Sequence, residues 1–269
     1  MRDLNNDFRC TITGVDAATD LHRVAALSVA FPFAEWAFLY SPSRSDREPR
    51  YPSLDTLSRM LSTLSHSVPV ALHLCGGAVD EFVANQGDTA WLVGAVAGRH
   101  GRCQVNVNLR RRTDLRPEAL DAAIRRFPGE VMLQHNASNR PFLGEIMAPN
   151  RAYLFDASGG RGIAPRAWPA RIPGIRCGYA GGLGPDSLDQ ALPQIFAASG
   201  DKMPDWIDME TRVRDHRDCL DLDQVARALE AAERFLFASV DQPGQAAEPA
   251  AAGSGGQQIG PSCGNPRFG

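Results

Sequence analysis

The sequence predicts an α/β fold, a (β/α)8 TIM barrel, on three observations. Short apolar runs of strand length alternate with segments of helical periodicity, and eight such runs can be counted. Two glycine-rich turns lie late in the chain, Asp156-Ala-Ser-Gly-Gly-Arg-Gly162 and Gly178-Tyr-Ala-Gly-Gly-Leu-Gly184, each directly after an apolar run. The chain of 269 residues has room for one barrel, which takes about 250 residues. The turns are the most specific of the three. Glycine lets successive N–H groups converge on an anion with no Cβ in the way, and paired phosphate loops after strands seven and eight are a feature of such barrels.

Taken in order, the strand candidates are Phe8 to Ile12, Trp36 to Tyr40, Val68 to Leu74, Cys103 to Leu109, Glu130 to Gln134, Tyr153 to Phe155, Ile175 to Cys177 and Trp206 to Met209. Helical spacing with acidic or hydroxyl caps marks Leu54 to Leu64, Pro117 to Arg126, Ser187 to Ala198 and Leu222 to Phe237. The connection 136–150, rich in Asn and Pro, has room for only a short helix. The barrel is placed at residues 1–238. Residues 239–269 change to Gln, Gly, Pro, Ala and Ser and read as a disordered low-complexity tail.

Composition narrows the function classes. A net charge of −3 argues against a nucleic-acid binder. The longest apolar run, Val24 to Ala34, contains Ser28 and Pro32 and is too short to span a membrane. The start of the chain has no signal-peptide core, and the six cysteines are scattered with no metal spacing. The expectation is a cytoplasmic protein without metal or cofactor and with no nucleic-acid or membrane partner.

Residues two apart on a strand share a face. That rule sets Arg9, Thr11 and Thr13, then His73 and Cys75, then Gln104, Asn106 and Asn108, then Gln134 and Asn136, toward the lumen, because the outer face must pack on helices. So many unpartnered amides and hydroxyls would cost about 1–3 kcal/mol each. They are expected to be networked or to face a ligand at the lumen mouth.

These residues carry a resemblance. Ile12-Thr-Gly-Val with Asp20, Pro49-Arg50-Tyr51, Phe155-Asp156 with Gly159-Gly160-Arg161-Gly162 and Trp168, Ala180-Gly181-Gly182-Leu183-Gly184-Pro185, Ile207-Asp208 and Arg217-Asp218 stand in the order of the motifs of phosphoribosylanthranilate isomerases. The resemblance covers about residues 8–238 and implies a ribulose-phosphate-binding barrel, a monomer or homodimer, that performs an Amadori rearrangement on a small phosphosugar. It makes Asp156 the acid after strand six. The family's base is a cysteine ending strand one, and Thr13 stands there. A threonine hydroxyl is no base near neutral pH, and Cys10 points to the opposite face. His73 and Glu210 are the substitute candidates. Gly159, Gly160, Arg161, Gly162, Gly181, Gly182 and Arg212 are the expected phosphate binders, with Arg161 and Arg212 supplying charge where the family has small hydroxyl donors. Arg50, Gln104 and Asn106 are the expected substrate contacts.

Each candidate has a plainer alternative. Asp156 can brace a loop, His73 can be an interior histidine bonded to Asn106, and Asp208 and Glu210 can pair with Arg9. Arg50 and the run Arg110-Arg111-Arg112 can be solvated, and the glycine turns can serve barrel closure alone. Trp168 and Trp206 read as packing residues. A non-catalytic barrel that keeps phosphate binding is the second function class, and an enzyme with a changed reaction on another phosphosugar the third. A Schiff-base aldolase is disfavoured, because Lys202 is the only lysine in the chain.

Overall fold

The computed structural model describes residues 8–107, 109, 114–159 and 161–240. Eight parallel strands close into a barrel in chain order: β1 (Arg9–Thr13), β2 (Ala34–Tyr40), β3 (Val70–Leu74), β4 (Arg102–Val105), β5 (Val131–His135), β6 (Arg151–Phe155), β7 (Arg176–Ala180) and β8 (Trp206–Met209), with β8 paired back to β1. All eight predicted strands exist, most with bounds shifted by one or two residues, and two end three or more residues from the predicted position. The fourth stops at Val105, so Asn106 lies just beyond it. The seventh runs on to Ala180, which places Gly178 inside a strand.

Helices α1 (Leu21–Ala30), α2 (Leu54–Thr63), α3 (Ala78–Ala84), α4 (Gly87–Ala97), α5 (Pro117–Arg126), α6 (Arg140–Leu143), α7 (Leu188–Ala198) and α8 (Leu222–Val240) wrap the sheet. Their ends follow the local chemistry. Asp20 accepts from His22 N and Arg23 N at 2.9 and 3.3 Å, so the aspartate that resembled a family motif caps α1. Ser53 caps α2 through Thr56 N, and that helix buries Leu57, Met60 and Leu61 at helical spacing. Pro117 opens α5, where its missing N–H costs nothing. The 136–150 connection holds the four-residue α6. Among the described residues no helix links β6 to β7, and residues 156–159 and 161–175 are loop instead.

The outer faces of the strands, with Cys10, Ile12, Leu72, Leu74, Val105 and Leu133, pack on the helices as one core. A second, smaller cluster fills the lumen: Ala37, Ala71, Met132, Ala152, Leu154 and Ala180 surround Trp206. The indole takes the space that a side chain on Gly178 would need, since a Cβ there would lie 2.0 Å from the ring. One large ring among alanines does the filling that branched side chains usually do in such barrels. Residues 241–269, Asn108 and the run Arg110-Arg111-Arg112 lie outside the described residues.

Candidate active site at the C-terminal mouth of the barrel

The cavity at the C-terminal end of the strands is lined by His73, Gln104, Asn106, Gln134, Asp156, Ser158, Gly162, Gly181, Gly182, Asp208, Glu210 and Arg212, with apolar Leu154, Ala180 and Leu183. Its enclosed space is about 60 Å³, far less than the roughly 300 Å³ of a small ligand pocket. Only a few atoms of a ligand fit that deep, and the rest must sit in the open mouth. Strand order explains the gathering. Asp208 on β8 neighbours β1 by barrel closure, His73 neighbours Gln104 across β3 and β4, and Gln134 on β5 stands beside β6.

Asp156, at the end of β6, is held by at least four donors. Its Oδ1 accepts from Ser158 N at 3.0 Å, Ser158 Oγ at 2.7 Å and Gly159 N at 3.1 Å, while Oδ2 accepts from Gln134 Nε2 at 2.7 Å. The carboxylate braces the first glycine turn and still faces the cavity.

Thr13 is buried behind the cavity wall, and its hydroxyl donates to Asp208 at 3.0 and 3.2 Å from the two carboxyl oxygens. His73 is also buried, with Nε2 at 3.8 Å from Asp208 Oδ2 and no hydrogen-bond partner. The expected bond to Asn106 is not formed, because Asn106 accepts from Gln104 Nε2 at 2.8 Å and donates to Cys75 Sγ. Burial, with help from the Arg102 charge and against Glu35, pushes the His73 pKa down to about 3. The imidazole is therefore neutral at ordinary pH. Burial, then the nearby Glu210, Asp156 and Glu35, hold the Asp208 carboxyl well above the usual carboxylate range, with the Thr13 bond opposing. Burial also raises Glu210, against the Arg50 guanidinium.

Arg50 is engaged with protein carboxylates. It donates to Glu210 and to both oxygens of Asp218, through Nε at 3.0 Å to Oδ2. The pairing of Asp208 or Glu210 with Arg9 does not occur. Arg9 sits at the opposite end of β1, where it reaches Pro32 O at 3.5 Å, because its position at the strand start puts it at the N-terminal face. Cys10 packs in the outer core with its thiol raised by burial, as the strand alternation requires.

The glycine turns meet each other. A Cβ on Gly181 would lie 2.8 Å from Ile163 O, one on Gly182 2.8 Å from Ala164 N, and one on Gly162 2.8 Å from Thr211 Cβ. All three glycines also have positive φ. Part of the glycine requirement is thus close approach of the two loops and of the short 3-10 turn 211–213. Gly162, Gly181, Gly182 and Arg212 reach the cavity wall. Gly159 stands in open space, Arg161 folds its Nε back onto Ser158 O at 2.8 Å, and Gly160 lies outside the described residues. Trp168 packs edge-on against Tyr179.

Sequence reasoning underrated Asp208, and it did not use Gln134 as a brace for Asp156. The signal for Asp208 was available: it lies two residues before Glu210 on a strand that closes against the Thr13 strand. It also missed the knot of Arg214 and Asp16, paired at 2.7 Å and both buried, which ties the loop after β1 to the loop after β8. Gly14 leaves room for that guanidinium, since a Cβ there would lie 2.4 Å from Arg214 Nη1.

No family model matches the chain, and no curated protein matches it. Solved structures do. The barrel has the fold of the phosphoribosylanthranilate isomerases. The isomerase TrpF from Jonesia denitrificans superposes with a TM-score of 0.58 at 18% identity, covering 86% of this chain and 99% of its own. The phosphoribosylanthranilate isomerase from Thermus thermophilus gives 0.56 at 18% identity, covering 84% and 99%. That from Thermotoga maritima gives 0.53 at 16% identity, again covering 84% and 99%. At these identities the isomerases share the fold with this chain, in agreement with the resemblance of its motifs.

Proposed function

We propose that this protein isomerises a phosphosugar from aldose to ketose, with an amino-substituted ribose phosphate of the phosphoribosylanthranilate type as the first candidate substrate. The observation that carries the reading is the juxtaposition, in one cavity, of the carboxyl groups of Asp156 and Asp208 with the wall formed by Gly162, Gly181, Gly182 and Arg212. Amadori chemistry needs a proton delivered to the ring oxygen and a proton taken from C2, which two carboxyl groups with different surroundings can supply. Glycine N–H groups and a cation suit a phosphate at the mouth. Gln104 and Asn106, bonded to each other on the cavity wall, are the substrate-facing amides. Arg50 acts here through Glu210, holding its charge in place.

A second reading, a barrel that binds a phosphate ligand without turnover, draws on Thr13. Its hydroxyl is committed to Asp208 and cannot take a proton from carbon. The test is a fluorescence assay of purified protein with phosphoribosylanthranilate, followed by a known isomerase in the same cuvette. Decay of the anthranilate signal above the uncatalysed rate is the expected result. No decay, with the control enzyme active, removes this substrate and leaves the second reading.

A further inference from the structure

We propose that Asp208 is the proton donor of this site and Asp156 the proton acceptor, with Thr13 and His73 as positioning residues for the Asp208 carboxyl. This rests on the isomerase reading and reverses the roles that the motif resemblance implies for Asp156.

The argument starts from hydrogen-bond inventories. Both oxygens of Asp156 are acceptors, for two backbone N–H groups, a hydroxyl and an amide. A carboxyl group so surrounded offers lone pairs to the cavity and no O–H. Asp208 differs in every respect. Among the described residues its one hydrogen-bond donor is the Thr13 hydroxyl on β1, shared between its two oxygens. The other groups facing it are His73 from β3, Glu35 from β2, Asp156 beyond β6 and Glu210 beyond β8. Of these, three are carboxyl groups and the fourth is an imidazole that burial keeps neutral. Arg102 is committed to Glu35 and Glu130 at the far end of the barrel. Like charges in one dry site cannot all ionise, so one of these carboxyl groups keeps a proton. Asp208 is that group, because Asp156 has at least four donors, Glu210 has Arg50 and Glu35 has Arg102. The orphan Nε2 of His73 at 3.8 Å stands where it can receive the Asp208 O–H after a small adjustment.

The proton cycle closes. Asp208 gives its proton to the ring oxygen as the C1–O bond breaks, leaving an iminium at C1. Asp156 takes the C2 proton, and the C–H electron pair forms the C1–C2 double bond of the enaminol. The C2 hydroxyl proton then returns to Asp208 while Asp156 delivers its proton to C1, giving the ketone with both carboxyl groups restored. Thr13 has a role without being a base: it points the carboxyl oxygens.

The assignment is tested on the unliganded protein by infrared difference spectroscopy at pH 7. Wild type minus Asp208→Asn should show the C=O stretch of a protonated carboxyl group, and wild type minus Asp156→Asn should not. Absence of the first band, or presence of the second, overturns the proposal whatever the enzyme turns over. Should Asp208→Asn fail to fold, Thr13→Val must shift the wild-type band, and an unshifted band is equally fatal. With phosphoribosylanthranilate as substrate, Asp208→Asn should lower kcat by about 10²–10⁴-fold and remove the alkaline limb of its pH profile. Thr13→Val should move that limb to higher pH with KM little changed, and Thr13→Ser should restore it. An unmoved limb rejects the positioning role. If the wild type has no turnover, the isomerase reading fails and the infrared result still decides where the proton sits.

Discussion

The two ends of this lumen hold similar numbers of charged groups and use them in opposite ways. At the N-terminal end Arg102 donates to Glu35 at 2.5 and 2.8 Å and to Glu130 at 2.8 Å, with its guanidinium 4.8 Å above the Trp206 ring. Burial acts to raise Glu35, yet Arg102 and the Thr11 hydroxyl hold it below its usual value. Arg102, Glu35, Glu130 and Arg176 there each have an opposite charge beside them. At the C-terminal end Asp156, Asp208 and Glu210 face one cavity; Glu210 meets Arg50, while Asp208 meets the Thr13 hydroxyl and an imidazole that burial keeps neutral. A network with matched charges holds the barrel shut, and one with a surplus of a single sign keeps a proton where chemistry can use it.

That contrast can be broken at either end. Arg102→Met strands Glu35 in the closed end and should cost about 3–5 kcal/mol of stability, read as a lowered urea midpoint, with activity per folded molecule retained; a loss below about 1 kcal/mol would deny the network its structural role. Asp156→Asn should lower kcat about 10³-fold, close to 4 kcal/mol of barrier, while inorganic phosphate binds as before; strong residual turnover would remove Asp156 from the mechanism. Gly162→Val forces a Cβ against Thr211 at a backbone angle that valine resists. It should weaken phosphate binding and cost about 1–3 kcal/mol of stability, and unchanged phosphate affinity would leave that turn a purely structural one.

The smallest effect is the pH dependence of stability. The folded pKa of His73, about 3, lies below the unfolded value of 6.5, so its contribution is present above that unfolded value and lost as pH falls. For Asp208 the folded value is raised, so its contribution is present below the unfolded value and lost as pH rises through the folded one. His73→Gln should flatten the rise of melting temperature between its folded and unfolded values, and Asp208→Asn should remove the fall that begins above the unfolded carboxylate value. Unaltered slopes in both would show that these two groups do not carry their protonation into stability.

Much of this was legible in order along the chain. Eight strands, the short 140–143 helix, the inward set of His73, Gln104 and Gln134, and the outward Cys10 all follow from alternation and local capping, which depend on neighbours a few residues away. The ends of β4 and β7 were misplaced because apolar residues continue past one strand and a glycine, Gly178, sits inside the other.

What the sequence by itself determined is the barrel, its polar lumen and the place of Asp156 beside a glycine turn. Those are consequences of periodicity and turn chemistry. Only the tertiary structure decided the partners: Arg50 with Glu210 and Asp218, Arg214 with Asp16, Thr13 with Asp208, Arg102 with Glu35. Each pair joins residues distant along the chain, and closure of β8 onto β1 brings the Thr13 and Asp208 strands together. Which carboxyl keeps a proton depends on those distances and on burial, and neither is written in local sequence.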